Sequence, residues 1–278
     1  SEMEILGARM IGIIGCGNMA SAIVKGFYSK NNEVEFLTYT PSYTRAEALA
    51  LMVNGTAVRS LSELNKAKTI VIACKPQQLS ELAKSIKDSG LELKDKHIIS
   101  ILAATSIETI QNILDAPRVT RVMPNTPALI GEGMSLVIHG DSVLENEKEI
   151  VEEFFSSCGE IALMPSETIF DQVTTVSGSG PAYVFLFAQT MAQKLSSWGV
   201  SDKLAKEIVI QLFRGSSDLM ADQNDLPLEK LISNVTSKGG VTIEAVNSFK
   251  NSKLDNITSL ALDAAYLRSK ELERDLKA

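Results

Sequence analysis

A parallel β-sheet wound with helices on both faces, followed by an all-helical half, is the fold class this sequence predicts. Three observations carry it. From Met10 to about residue 165, short β-branched runs alternate with stretches of helical spacing. A glycine-rich turn joins the first such strand to the first such helix. From about residue 166 the strand signal disappears and long helical stretches take over.

In chain order, "MIGIIG", "VEFLTY", "TIVIAC", "HIISIL", "RVTRVM" and "SLVIHG" read as strands. "ASAIVKGFYS", "RAEALALMV", "LSELAKSIKD" and "SIETIQNIL" lie among them with helical spacing. Strands that alternate with helices run parallel, because each crossover helix returns the chain to the same end of the sheet. In the second half, "PAYVFLFAQTMAQKLSSWG", "DKLAKEIVIQLFRGSSDLMAD" and "ITSLALDAAYLRSKELERDL" read as long helices. The first of them opens with Tyr183, Val184, Phe185, Leu186 and Phe187 in succession, so it has no polar face. Such a helix must be covered on every side, and a second subunit is the simplest cover. Pro181 suits the first helical turn there, with Ser179 as its cap.

With 278 residues, 45% of them hydrophobic and 22% charged, the chain has ample material for a buried core. A net charge of −7 argues against nucleic acid as a partner. The longest apolar run, "PAYVFLFA", is too short to span a bilayer, and no charged-then-apolar leader is seen. No membrane partner and a cytoplasmic location are the expectations. Cys16, Cys74 and Cys158 lie far apart without paired spacing, so neither a disulfide framework nor a metal site is expected. Cys74, in "TIVIACKP", reads as a buried strand residue. His97 and His139 are the only histidines, and both fall at strand edges where a structural or solvated role is the ordinary one. A catalytic acid or base built on histidine is therefore nearly excluded.

The turn after the first strand is Gly15-x-Gly17-x-x-Ala20, followed by a helix. Small residues there permit a tight turn, approach of backbone N–H groups to a pyrophosphate, and close helix packing. The helix N-terminus adds positive partial charge. This is the dinucleotide-binding fingerprint in its proper context, and it makes residues 10–165 a Rossmann-type domain. Residues 1–9 are set aside as an N-terminal extension, and residues 166–278 form an all-α half expected to dimerise. The end of the second strand, "FLTYTPSYTR", offers Thr38, Thr40 and Ser42 and no carboxylate, with Arg45 the nearest cation. Hydroxyls without a repelling acid favour NADPH as cofactor, with NADH usable.

A second cradle lies deep in the helical half. "SNVTSKGGVTIEAV" places hydroxyls, a lysine and two glycines ahead of a helix. Taken with "GCGNMASA", "ACKPQQL", "RVMPNTPALIGEGM" and "VSGSGPAYVFLF", in this order, the chain resembles the pyrroline-5-carboxylate reductases from about Met10 to its last helix. The resemblance implies reduction of the cyclic imine pyrroline-5-carboxylate to proline by NADPH or NADH. It implies cofactor contacts at Ile14, Gly15, Cys16, Gly17, Asn18, Met19, Thr40, Ser42, Ala73, Cys74, Lys75, Pro76 and Asn234. It implies a substrate pocket at Glu167, Ser237, Gly239, Gly240, Val241 and Thr242, with the Thr242 hydroxyl directed at the ring nitrogen, which makes residues 166–278 the substrate domain as well as the dimerisation domain. It also implies a homodimer in which the loop of one subunit completes the site of the other, with a ring of dimers left open.

The chain departs from the family at one place. The usual Ser-Pro-Gly-Gly is here Ser237-Lys238-Gly239-Gly240, which frees a backbone N–H and loosens entry to the loop. Lys238 is either solvated or an added attraction for an anionic substrate. Thr242 has an ordinary alternative as a helix cap, and "SGSGPAYVFLF" and "RVMPNTPALIGEG" either line the site or only shape it. The rival enzyme class is a β-hydroxyacid dehydrogenase, which needs a lysine base on the first long helix of the second half. Lys194 is on that helix but near its far end. A cofactor-binding dimer without turnover is the non-enzymatic rival.

Overall fold

In a computed structural model of the protein, residues 10–278 are described, so the expected extension at 1–9 lies outside them. Eight strands form one sheet: β1 (Met10–Ile14), β2 (Glu35–Tyr39), β3 (Gly55–Ala57), β4 (Thr69–Ile72), β5 (His97–Ser100), β6 (Arg118–Met123), β7 (Gly133–His139) and β8 (Gly159–Leu163). Their order is β3-β2-β1-β4-β5-β6-β7-β8. β1 is flanked by β2 and β4, its Ile14 in register with Tyr39 on one side and Ile72 on the other. The winding reverses at β1, which opens a crevice beyond the carboxyl ends of β1 and β4.

Helices α1 (Asn18–Lys30), α2 (Thr44–Met52), α3 (Leu79–Ser89), α4 (Ile107–Leu114), α5 (Glu145–Ser156) and α6 (Glu167–Ser177) follow the strands. α1 buries Ala20, Ile23, Val24 and Phe27, the stripe that a 3.6-residue period delivers to one face. On that side of the sheet Ile11, Ile13, Phe27, Phe36 and Phe154 share one core. On the other, Ile14, Ile70, Ile72, Leu79, Ile98 and Ile110 share a second. Burial on both faces explains why the central strands read as continuous apolar runs.

The expectation of an all-parallel sheet needs one correction. β7 runs antiparallel to β6, with Thr120 opposite His139 and Met123 opposite Leu136. Only the segment 124–132, with a 3-10 turn at Thr126–Ile130, joins the two strands. A parallel return needs a longer crossover, usually a helix. β8 is parallel to β7 because α5 supplies that crossover. β3 and β8 carry weak strand signals of their own and form by pairing at the sheet edges.

The chain divides into two compact units. One ends at Ser179 and takes in Ala265–Ala278; the other is Gly180–Ala264. The sequence period changes near residue 165, but the compact unit closes only after α6, whose Phe170 is fully buried. The remaining helices are α7 (Gly180–Ser197), α8 (Asp202–Asp222), α9 (Leu228–Asn234), α10 (Val241–Asn251) and α11 (Leu254–Lys277).

In Gly180–Ala264 the buried hydrophobic residues are Ala205 and Val209. Phe185 is 65% exposed and Leu186 60%. Phe187 meets Phe213 and Phe249 edge-on at 6.0 Å each, yet it too remains 40% exposed. Helices this apolar without a core of their own are stable only when another surface covers them. No helix among the described residues is long and apolar enough to cross a membrane.

Candidate active site

A cleft of about 820 Å³ opens at the carboxyl ends of β1, β2 and β4. Gly15 turns the chain out of β1 with φ +92°, and a Cβ there would lie 2.7 Å from the Ala73 backbone. Only glycine accepts both conditions. A Cβ on Gly17 would meet nothing within 4 Å, so a ligand has open access to that backbone. Gly17 N-caps α1 without a side-chain hydrogen bond, which leaves first-turn N–H groups for an anion. These features fit a dinucleotide pyrophosphate.

Ile14, Gly15, Cys16, Gly17, Asn18, Met19, Thr40, Ser42, Ala73, Cys74 and Lys75 all line this cleft. Pro76 is not among its lining residues and instead opens a short 3-10 turn, Pro76–Gln78. Asn234 is the last residue of α9, in the other unit. Arg45, Gln78, Glu81, Leu82 and Ser85 also line the cleft. The four on the Pro76–Gln78 turn and α3 escaped sequence reasoning, because a helix's cleft-facing side is fixed only by the order of the strands.

Two expectations about this cleft change. Of the three hydroxyls proposed for the ribose, Thr38 donates to Ala46 O at 2.7 Å and is fully buried. Thr40 Oγ1 accepts from Ala46 N at 3.2 Å and holds the start of α2. Ser42 is the exposed one of the three, with its hydroxyl uncommitted among the described residues. Cys74 is a half-buried cleft residue beyond the end of β4, since the strand stops at Ile72. Burial raises its thiol to about 11 and that of Cys16 to about 12, so both stay neutral.

The two histidines share one threonine away from these residues. His97 Nε2 lies 2.8 Å from Thr120 Oγ1, and His139 Nδ1 lies 2.9 Å from the same oxygen. Burial, with repulsion from His139 and Arg118, lowers His97 to about 3. His139 is also lowered, first by burial.

Glu167 opens α6 and its Oε1 accepts from Ile107 N at 2.9 Å, at the start of α4. The same oxygen pairs with Arg121 at 3.0 Å. Arg121, 2% exposed, also pairs with Asp171 at 3.2 Å, and Asp171 pairs with Lys270 of α11 at 3.1 Å. Within this unit, then, Glu167 is part of an ion-pair network. Asn125 is likewise structural: its amide donates to Ser177 O and accepts from Met134 N. Those bonds tie the "PNTP" segment to α6 and β7.

In the second unit, Gly240 N donates to Ser237 O at 3.0 Å, and Gly239 has φ +75°. Positive φ at the third residue is the mark of a type II turn, which requires glycine there. Gly240 N-caps α10 with no side-chain hydrogen bond. Val241 is 90% exposed, and Thr242 is exposed with its hydroxyl unpaired among the described residues. Thr242 is therefore no cap, and the first turn of α10 keeps its N–H groups free.

Comparison with known proteins agrees with this geometry. Residues 167–272 match the family model described as pyrroline-5-carboxylate reductase dimerisation, and residues 10–104 match NADP oxidoreductase coenzyme F420-dependent. The chain is 32% identical over 267 residues to a pyrroline-5-carboxylate reductase of Haemophilus influenzae, covering 95% of this chain and 98% of that protein.

The chain belongs to the pyrroline-5-carboxylate reductase family.

Solved structures agree over the same length. The Plasmodium falciparum pyrroline carboxylate reductase with NADP bound superposes with a TM-score of 0.81 at 30% identity, over 95% of this chain and 98% of that one. The Coxiella burnetii pyrroline-5-carboxylate reductase gives 0.84 at 26% identity, over 94% and 97%. Family membership gives the exposed apolar helices their reason, since the matched segment 167–272 is a dimerisation unit.

Proposed function

We propose that the chain reduces 1-pyrroline-5-carboxylate to L-proline, the last step of proline biosynthesis, with NAD(P)H as the reductant. The observation that carries this is a dinucleotide cleft that offers neither a histidine nor an ionised thiol as acid or base. No histidine lines it, its two thiols are held neutral, and both histidines are tied to Thr120. An imine accepts a hydride once its nitrogen is protonated, and water provides that proton before binding. The bound cofactor would supply the hydride; the chain's work is alignment and hydrogen bonding.

Each set of residues has a part in this reading. Gly15, Gly17, Asn18 and Met19 hold the pyrophosphate through backbone N–H groups, with Ile14, Cys16, Ala73, Cys74, Lys75 and Pro76 around the dinucleotide. Ser42 and Thr40 face its ribose. The unsatisfied N–H groups at Val241 and Thr242 bind the substrate carboxylate, on the turn formed by Ser237, Gly239 and Gly240. The Thr242 hydroxyl oxygen accepts from the N–H of the protonated ring nitrogen. These loop residues and Asn234 come from the partner subunit, and Glu167 borders the pocket. Residues 10–165 then act as the cofactor domain and 166–278 as the dimerisation and substrate domain.

The β-hydroxyacid dehydrogenase reading lacks a base. Lys194 lies in the last turn of α7, its Nζ 5.2 Å from the centre of the Trp198 ring. The three free cysteines suit a reducing cytoplasm. Light scattering of the eluted protein distinguishes a dimer from a ring of dimers. The decisive assay is NADPH and NADH oxidation with pyrroline-5-carboxylate, against 2-keto acid and 3-keto acid controls. Oxidation that depends on the imine supports the reductase; turnover confined to the controls overturns it.

A further inference from the structure

The turn between β2 and α2 contains a strained residue whose neighbours line the cleft. Thr40 to Tyr43 form a β-turn closed by Tyr43 N donating to Thr40 O at 3.0 Å. A γ-turn follows at once, with Thr44 N donating to Ser42 O at 2.6 Å. Tyr43, its central residue, has φ 59° and ψ −42°. That conformation is rare for a residue with a side chain, and it persists only where the surroundings over-determine it.

The surroundings do so here. The Arg59 guanidinium carbon sits 3.8 Å from the centre of the Tyr43 ring. The Arg59 segment is itself anchored, because the N–H groups of Arg59 and Ser60 both donate to Glu63 Oε2, at 3.2 and 3.0 Å. Val58 N adds a bond to Thr38 O at 2.9 Å. Neither Tyr43 nor Arg59 lines the cleft, whereas Ser42 and Arg45 on either side of the strained residue do. Between Thr40 and Arg45 there is no carboxylate to repel an anion.

We infer that Tyr43 and Arg59 form a positioning clamp, holding Ser42 and Arg45 toward a phosphate on the adenosine ribose so that the chain selects the 2′-phosphorylated cofactor. This rests on the reading that the cleft takes a nicotinamide dinucleotide. Arg45 acts by charge, Ser42 by its uncommitted hydroxyl, and the clamp by fixing the backbone that carries both. Charged hydrogen bonds of this kind change affinity by about tenfold to a hundredfold.

The test is calorimetric titration of the full chain with 2′,5′-ADP and with 5′-AMP, two fragments that differ by the phosphate in question. The native chain is expected to prefer 2′,5′-ADP by about tenfold or more. Arg45→Ala removes most of that preference and leaves 5′-AMP affinity alone. Arg59→Met, outside the cleft, lowers the preference at least about threefold with 5′-AMP unchanged, and Arg59→Lys restores it in large part by keeping a cation on the ring. Tyr43→Gly relieves the strained φ, so it folds even if Arg59→Met does not, and it loses the same preference. Equal affinity of the native chain for both fragments overturns the inference. So does an Arg59→Met or Tyr43→Gly chain that keeps the native preference, or one that loses both fragments equally. A chain with the phosphate preference but no imine-dependent oxidation leaves the clamp standing and refutes the reductase reading instead.

Discussion

Replacing Arg121 with methionine isolates the ion-pair network that joins β6, α4, α6 and α11. Arg121 is 2% exposed, pairs with Glu167 and Asp171, and lies 4.3 Å from the centre of the Phe170 ring. Methionine keeps most of the stem and removes the charge. Breaking a buried pair costs about 3–5 kcal/mol, mainly because a charge is left without its partner. Two features reduce that here. Asp171 keeps Lys270 at 3.1 Å, and the Glu167 side chain is 32% exposed and keeps the Ile107 N–H. Arg121 Nε also lacks a partner among the described residues, and its burial is relieved by the change. The expected loss is therefore about 2–3 kcal/mol. Lys270→Ala removes a partner whose side chain is 35% exposed, and solvent screening limits the loss to about 0.5–1 kcal/mol. Urea unfolding followed by circular dichroism measures both, at one protomer concentration because association adds to apparent stability. A loss below about 1 kcal/mol for Arg121→Met, or an equal loss for Lys270→Ala, would refute the assignment of Arg121 as the centre of the network.

Other outcomes follow from the same structure. His97 titrates near 6.5 when unfolded and at about 3 when folded, so the unfolded chain takes up the proton first as pH falls. Stability is then full above about 6.5 and declines toward 3, by at most about 4–5 kcal/mol, and His97→Gln should flatten that slope in pH-dependent melts. Thr242→Ala should lower kcat by about tenfold to a hundredfold while leaving cofactor affinity and melting temperature unchanged, because its hydroxyl has no structural bond to lose. Equal losses in turnover and cofactor binding would remove Thr242 from its place at the imine nitrogen. Lys238 occupies the second position of the Ser237–Gly240 turn and its N–H has no partner among the described residues, so Lys238→Pro should stabilise the protein by about 0.4–1 kcal/mol. A lowered melting temperature would show that the turn needs another backbone geometry. Glu167→Gln separates its two readings: a raised KM for the imine at unchanged stability favours the pocket, and lost stability at unchanged KM favours the network.

The amino-acid sequence by itself determined the elements that depend on local chemistry. The six strongest strands, the glycine turn at Gly15 and Gly17, and the long helices are visible because periodicity and backbone permissiveness belong to neighbouring residues. The uncovered apolar stretch at Tyr183–Phe187 announced the need for a second subunit for the same reason: a helix without a polar face is a local fact with a non-local consequence. The motifs from "GCGNMASA" to "TSKGGVTIEAV" named the family, and through it most of the cleft.

Tertiary structure decided what depends on partners distant in the chain. The reversal of β7 follows from a connection too short for a crossover, which local strand propensity does not reveal. β3 and β8 exist because neighbouring strands offer them hydrogen bonds. Thr38 and Thr40 looked as available as Ser42, until Ala46 on α2 took both hydroxyls for the backbone. Glu167 acquired Arg121 from a strand 46 positions away, and His97 acquired His139 through Thr120. Each of these is a hydrogen bond or charge pair closed by folding, and burial rather than residue type sets its strength.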